Sequence, residues 1–246
     1  MADGRTGEHP LGARLVRGDD VSDEDIDGLL PERLRLLSSL HWTPVRVAQA
    51  AARFLAAGDA RPHILDVGSG AGKFCAVGAL STGARFTGVE RRPALVQVAR
   101  DLAATLRADG VDFLPGRMED VEWSRFTGVY FYNPFGEHFL CGDDHIDRIH
   151  PTGWAVYAHY IRAALSRLYL MPAGTRVVTY HGIGAPLPPG YELVGGEKFA
   201  TGSLRFYIRR DPLLLEGQRR AKDFFATITD AEEIDPEESK TEPIES

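Results

Sequence analysis

His63-Ile64-Leu65-Asp66-Val67-Gly68-Ser69-Gly70-Ala71-Gly72-Lys73-Phe74 is the stretch whose reading decides the fold. A short apolar run enters a glycine-rich turn and leaves into a helical pattern. Ile64, Leu65 and Val67 suit a strand buried on both faces, and Gly68, Gly70 and Gly72 allow a tight turn with bare backbone against which a ligand can lie. Asp66 stands at the strand's end, where a carboxylate can meet a cation. Spacing separates the possible glycine-turn chemistries. A phosphate-binding loop of the form G-x-x-x-x-G-K-[ST] would put its first glycine on Val67 and its hydroxyl on Phe74, so it fails twice. A dinucleotide fingerprint starting at Gly68 needs a small residue at position 73, where Lys73 stands.

What remains, D-x-G-x-G-x-G, resembles motif I of the class I S-adenosylmethionine (SAM) dependent methyltransferases. The resemblance implies an α/β, Rossmann-like fold, with a seven-stranded, mostly parallel sheet and helices on both faces. It also implies SAM as cofactor and S-adenosylhomocysteine as product. In that family the glycine turn passes under the methionine part of the cofactor, which assigns Asp66, Gly68, Ser69, Gly70 and Gly72 to the cofactor site. An acid ending the second strand binds the ribose hydroxyls. Arg85-Phe86-Thr87-Gly88-Val89-Glu90 reads as that strand. Glu90 is then the ribose acid, with Arg91 beside it at the cofactor; an acidic helix cap before Arg91-Arg92-Pro93 is the plainer alternative.

Composition agrees with a soluble globular protein. The 246 residues are 43% hydrophobic and 26% charged, enough for one large domain with appendages. No apolar run approaches a membrane span and no apolar signal segment opens the chain, so a cytoplasmic protein is expected. Cys75 and Cys141, far apart, suggest free thiols rather than a disulfide framework or a cysteine metal cluster. The net charge of −7 belongs to the tail: of 28 Lys+Arg and 35 Asp+Glu, the stretch from Asp230 to Ser246 holds one and eight, leaving the rest formally neutral. That neutrality weighs against strong non-specific nucleic-acid binding.

Residues 1–27, with an acidic cluster and little apolar periodicity, are expected to form a flexible or loosely docked arm. Residues 28–228 are expected to form the methyltransferase domain and residues 229–246 an acidic disordered tail. Leu29 to Leu40 carries apolar residues at helical spacing, and Val45 to Leu55 does so again after His41-Trp42-Thr43-Pro44. Two roles are open to Thr43. It caps the second helix, with Pro44 at its first position, or it touches the methionine carboxylate as a similar threonine-proline turn does in many relatives.

Pro93 opens a helix striped by Leu95, Val98, Ala99, Leu102 and Leu106, a pattern that core packing explains. Val111 to Leu114 reads as a third strand. In the family the following loop reaches the adenine, often with an acid directly after a glycine, and here Arg117 follows Gly116. The resemblance then points to Met118 packing on the ring with Glu119 or Asp120 nearby; a solvated acidic loop is the alternative.

Gly128 to Tyr132 reads as a fourth strand, and Asn133-Pro134-Phe135-Gly136 follows it. This partly resembles motif IV, [DN]-P-P-[YFW], of the amino-group methyltransferases, with Phe135 in place of the second proline and Gly136 in place of the aromatic. By resemblance Asn133, Pro134 and Phe135 form the catalytic loop, with the Asn133 side-chain oxygen and the Pro134 carbonyl accepting the hydrogens of an amine. An Asn-Pro turn is the plainer reading. Asp143, Asp144, His145, Asp147 and His150 are metal-ligand types, but methyl transfer from a sulfonium needs no metal and none is expected. Trp154 to Leu168 marks a long helix, Thr175 to Tyr180 a fifth strand ending at His181, and Tyr191 to Val194 with Ser203 to Arg209 a closing strand pair. His181 reads either as a base or as a capping histidine. The expected partner is an amine-bearing substrate, a protein side chain such as lysine or a small molecule. A nucleic-acid base methyltransferase and a catalytically silent SAM-binding regulator stand as alternatives.

Overall fold

The computed structural model describes residues 9–133, 146 and 153–210. Seven strands form one sheet: β1 (His63–Val67), β2 (Arg85–Glu90), β3 (Val111–Pro115), β4 (Gly128–Tyr132), β5 (Arg176–Tyr180), β6 (Tyr191–Phe199) and β7 (Gly202–Arg209). Their order is β3-β2-β1-β4-β5-β7-β6. β1 to β5 run parallel, and β7 inserts antiparallel between β5 and β6. The order reverses between β1 and β4, so connections leave in opposite directions and open a crevice at the carboxyl ends of those strands. The ends of β1, β2, β4 and β5 therefore share one edge.

Strand pleat divides the core. Ile64, Phe86, Tyr130 and Val178 face one side, under α5 (Val45–Ala56), α6 (Lys73–Thr82) and α7 (Pro93–Leu106). Leu65, Val129, Phe131 and Val177 face the other, against α8 (Trp154–Tyr169) and the short 3-10 turns Met118–Asp120 and Trp123–Arg125. Neighbours in sequence go to opposite faces, which is why β1 carries an unbroken apolar run.

The stretch expected to be a flexible or loosely docked arm contains two docked helices, α1 (Pro10–Arg17) and α2 (Asp23–Asp27), whose Leu15 and Ile26 are fully buried together with the intervening Val21. Lys73 at the start of α6 is buried and its Nζ lies 2.7 Å from both Asp23 Oδ1 and Asp27 Oδ1. The Leu29–Leu40 helix is in fact two short ones, α3 (Glu32–Leu36) and α4 (Ser38–His41). Pro31 precedes the first, and the Leu34 carbonyl accepts the indole N–H of Trp42 at 3.1 Å, which ties the segment down sideways and leaves Leu36 exposed. The expectations for residues 134–145, 147–152 and 211–246, including the acidic tail, lie outside the described residues.

Candidate active site

The site begins with the turn after β1. Gly68 and Ser69 both donate their backbone N–H to the Val89 carbonyl, at 2.9 and 3.0 Å, which pins the turn to the end of β2. Gly68, Gly70 and Gly72 all adopt positive φ, and two of them are also packed too closely for a Cβ. A Cβ at Gly70 would stand 2.2 Å from the Trp42 ring, and one at Gly72 2.6 Å from Phe113. The turn thus carries no side chain where Trp42 and α7 press on it.

Glu90, buried at the end of β2, reaches back to the turn. Its Oε2 accepts the Gly70 N–H at 3.2 Å and its Oε1 the Arg92 N–H at 2.9 Å. Two N–H donors leave a carboxylate with lone pairs to spare, so it retains capacity for ribose hydroxyls. Arg92 is the basic neighbour of Glu90, with Nη1 3.5 Å from Oε1. Arg91, expected beside Glu90 at the cofactor, lies over the Tyr160 ring of α8, 6.0 Å from its centroid.

A cavity of about 390 Å³ lies beside this carboxylate, lined by Gly68, Gly70, Glu90 and Arg92 and continuing to Tyr132, Asn133 and His181. That is the size of small-molecule sites. Next to it, a space of about 20 Å³ between Thr43, Asp66, Ser69 and Lys73 has room for one water. Burial raises Asp66 to about 7, and the nearby Glu90 charge adds to the rise, while a hydrogen bond from the Cys75 thiol at 3.4 Å opposes it. Ser69 Oγ is buried with no hydrogen-bond partner among the described residues. Glycine turn, paired acids and cavity size together fit SAM. When bound, SAM supplies a methyl group on a sulfonium, open to direct displacement.

Thr43 does not cap α5. The Val45 N–H at that terminus donates to Asp23 Oδ1 at 2.8 Å, and the Thr43 hydroxyl is 3.0 Å from the Tyr130 hydroxyl, buried at the wall of the small space. Met118 is buried in the core with Trp123 and Val89, so its side chain is not at the cavity wall. Glu119 pairs with Arg117 and His159, each at 3.0 Å. Its Oε2 is buried and has no hydrogen-bond partner among the described residues. Burial raises Glu119, but its own backbone N–H, His159 and Arg117 outweigh that and hold it below the usual range. Asp120 receives the Arg117 N–H. Asn133, at φ 33°, follows β4 at the cavity wall, and its N–H donates to the Tyr180 carbonyl at 3.1 Å. Pro134 and Phe135 lie outside the described residues. Sequence reasoning missed the lining roles of His41, Tyr132 and Thr201, which carry no motif.

Fold and site together define a SAM-binding enzyme of the class I methyltransferase type. Residues 59–132 match the family model described as a methyltransferase domain. This chain is similar in structure to an RNA methyltransferase from Salinibacter ruber solved with S-adenosyl-L-homocysteine, at 20% identity over 70% of this chain and 93% of the other, with a TM-score of 0.47. It is also similar to the putative methyltransferase yhhF from Escherichia coli, at 17% identity over 67% and 86% of the two chains and a TM-score of 0.49. TrmN from Thermus thermophilus matches at 20% identity over 69% and 49%, with a TM-score of 0.46. No curated protein matches the sequence. Residues 59–132 thus carry a methyltransferase domain, and SAM is its cofactor. Among the described residues no helix is long and apolar enough to cross a membrane.

Proposed function

We propose that this enzyme methylates an amine nitrogen, on a protein side chain such as lysine or on a small molecule, in the cytoplasm. The observation that carries the reading is the position of Asn133: it directly follows β4 and shares one cavity with Glu90 and the glycine turn. Its amide oxygen can accept a hydrogen bond from a neutral amine and so orient the nitrogen lone pair. An alkylammonium, with a pKa near ~10.4, has no such lone pair until it loses a proton. Trp42 and Tyr132 wall the same cavity. The partial motif IV resemblance of Asn133-Pro134-Phe135-Gly136 supports the same acceptor class.

The test is a screen of amine-bearing proteins, small amines and nucleic acids with labelled methyl, comparing wild type with Asn133→Ala. Labelling of an amine that falls a hundredfold or more in the variant, about 2.7 kcal/mol of barrier, with SAM affinity kept, is the expected result. Labelling of nucleic acid alone would overturn the reading.

A further inference from the structure

The cavity also contains a group suited to receive the acceptor's proton. Its titratable lining among the described residues is His41, Glu90, Arg92, Tyr132 and His181. Glu90 is engaged by the N–H groups of Gly70 and Arg92, and a guanidinium has no acceptor site. Burial, reinforced by Tyr180, pushes the Tyr132 phenol up to about 12, so it stays protonated at neutral pH. His41 sits on α4 with its ring against Trp42, 5.7 Å between centroids.

His181 is placed differently. It follows β5 as Asn133 follows β4, and the two strands are paired neighbours. Both residues hold left-handed backbone, at φ 62° and 33°. Such conformations in non-glycine residues cost roughly 1–3 kcal/mol each and concentrate at functional sites. The imidazole rests on bare backbone: a Cβ on Gly202, the first residue of β7, would stand 2.2 Å from His181 Cε1. Tyr180 and Tyr132 flank the ring at 4.3 and 5.7 Å. Burial lowers its pKa from the ordinary 6.5, so the ring is neutral at neutral pH. Neither ring nitrogen has a hydrogen-bond partner among the described residues, and the residue is exposed enough to exchange protons with water.

We infer that His181 accepts the proton released by the acceptor amine, with Gly202 as the positioning residue that seats its ring. The inference rests on the amine reading above. An N–H bond of the ammonium breaks and its electron pair stays on nitrogen as the lone pair. The proton passes to an imidazole nitrogen and from there to water. An imidazole of this strength does not hold the proton; it relays it.

The test uses the full chain and two ligands that differ by one amine. Sinefungin carries a primary amine where SAM carries its methylsulfonium, and S-adenosylhomocysteine has no such group. The His181 imidazole is titrated by NMR, its signals assigned by their loss in His181→Gln. Sinefungin is expected to lower the His181 midpoint by about one unit, a tenfold change in its protonation equilibrium, and S-adenosylhomocysteine to leave it in place. Calorimetry should show His181→Gln and Gly202→Ala each losing about tenfold in sinefungin affinity while S-adenosylhomocysteine affinity is kept. Equal midpoints with the two ligands, or an unchanged affinity ratio in His181→Gln, would overturn the inference and leave the cofactor standing. If neither ligand binds the wild type, the cofactor assignment falls and takes this role with it. The acceptor class is decided separately, by the Asn133→Ala screen.

Discussion

Lys73 Nζ lies 2.7 Å from Asp27 Oδ1, joining the first residue of the motif I helix to the last residue of α2. The lysine side chain is 2% exposed, so solvent screens this pair weakly. Removing one partner leaves a buried charge uncompensated. Lys73→Ala, which strands buried Asp27, should therefore cost about 3 kcal/mol in denaturant unfolding, and Asp27→Asn less, because Asp23 still pairs with the lysine. Because the lost charge and not the lost bond dominates, Lys73→Met with Asp27→Leu should cost less than Lys73→Ala. A loss below about 0.5 kcal/mol in both single variants would show that the N-terminal helices are not held by this lysine.

Glu90→Ala removes the acceptor at the end of β2 and frees the Gly70 N–H. SAM affinity by calorimetry should fall tenfold or more, about 1.4 kcal/mol. A variant that binds as wild type would place the ribose elsewhere.

Asp66 gives the site a pH signature. Its folded pKa, raised to about 7 by burial, lies above the 3.8 of a free carboxyl. The folded state thus binds the proton more tightly, and the stability this contributes is complete below about pH 4 and lost as pH rises to about 7. The size is on the order of 4 kcal/mol at 1.36 kcal/mol per unit. Asp66→Asn cannot titrate, so its stability relative to wild type should rise across that window. Parallel unfolding curves for the two proteins from pH 4 to 8 would refute the raised value.

Gly70→Ala combines a left-handed backbone, φ 53°, with a Cβ 2.2 Å from the Trp42 ring. The backbone alone costs roughly 1–2 kcal/mol, and displacing the indole adds to it. Thermal unfolding should show a loss of at least that size, together with weaker SAM binding. Gly18→Ala, with open space around its Cβ and a similar φ of 78°, isolates the backbone part.

Much of this protein was legible in the sequence because the parallel strands are short, continuously apolar and ended by recognisable turns. β1, β2 and β4 begin and end where the residues indicate, and Glu90 and Asn133 fall at strand ends that the strand order then brings to one crevice. The strand limits also fix which side chains face each layer, since alternation along a strand is local. Motif and composition together reach the fold class and the cofactor.

Tertiary structure decided the rest, through contacts between residues distant in sequence. The acids at 23 and 27 look like a solvated cluster until Lys73, 46 residues beyond Asp27, is folded against them. The cap of α5 comes from Asp23 and not from adjacent Thr43, because a terminal N–H takes whichever acceptor the packing delivers. Arg92 meets Glu90 and Met118 turns into the core, since side-chain direction after a strand depends on backbone dihedrals that spacing does not encode. His181 acquires its seat from Gly202 on a strand that runs antiparallel to its own, a proximity set by the sheet order alone.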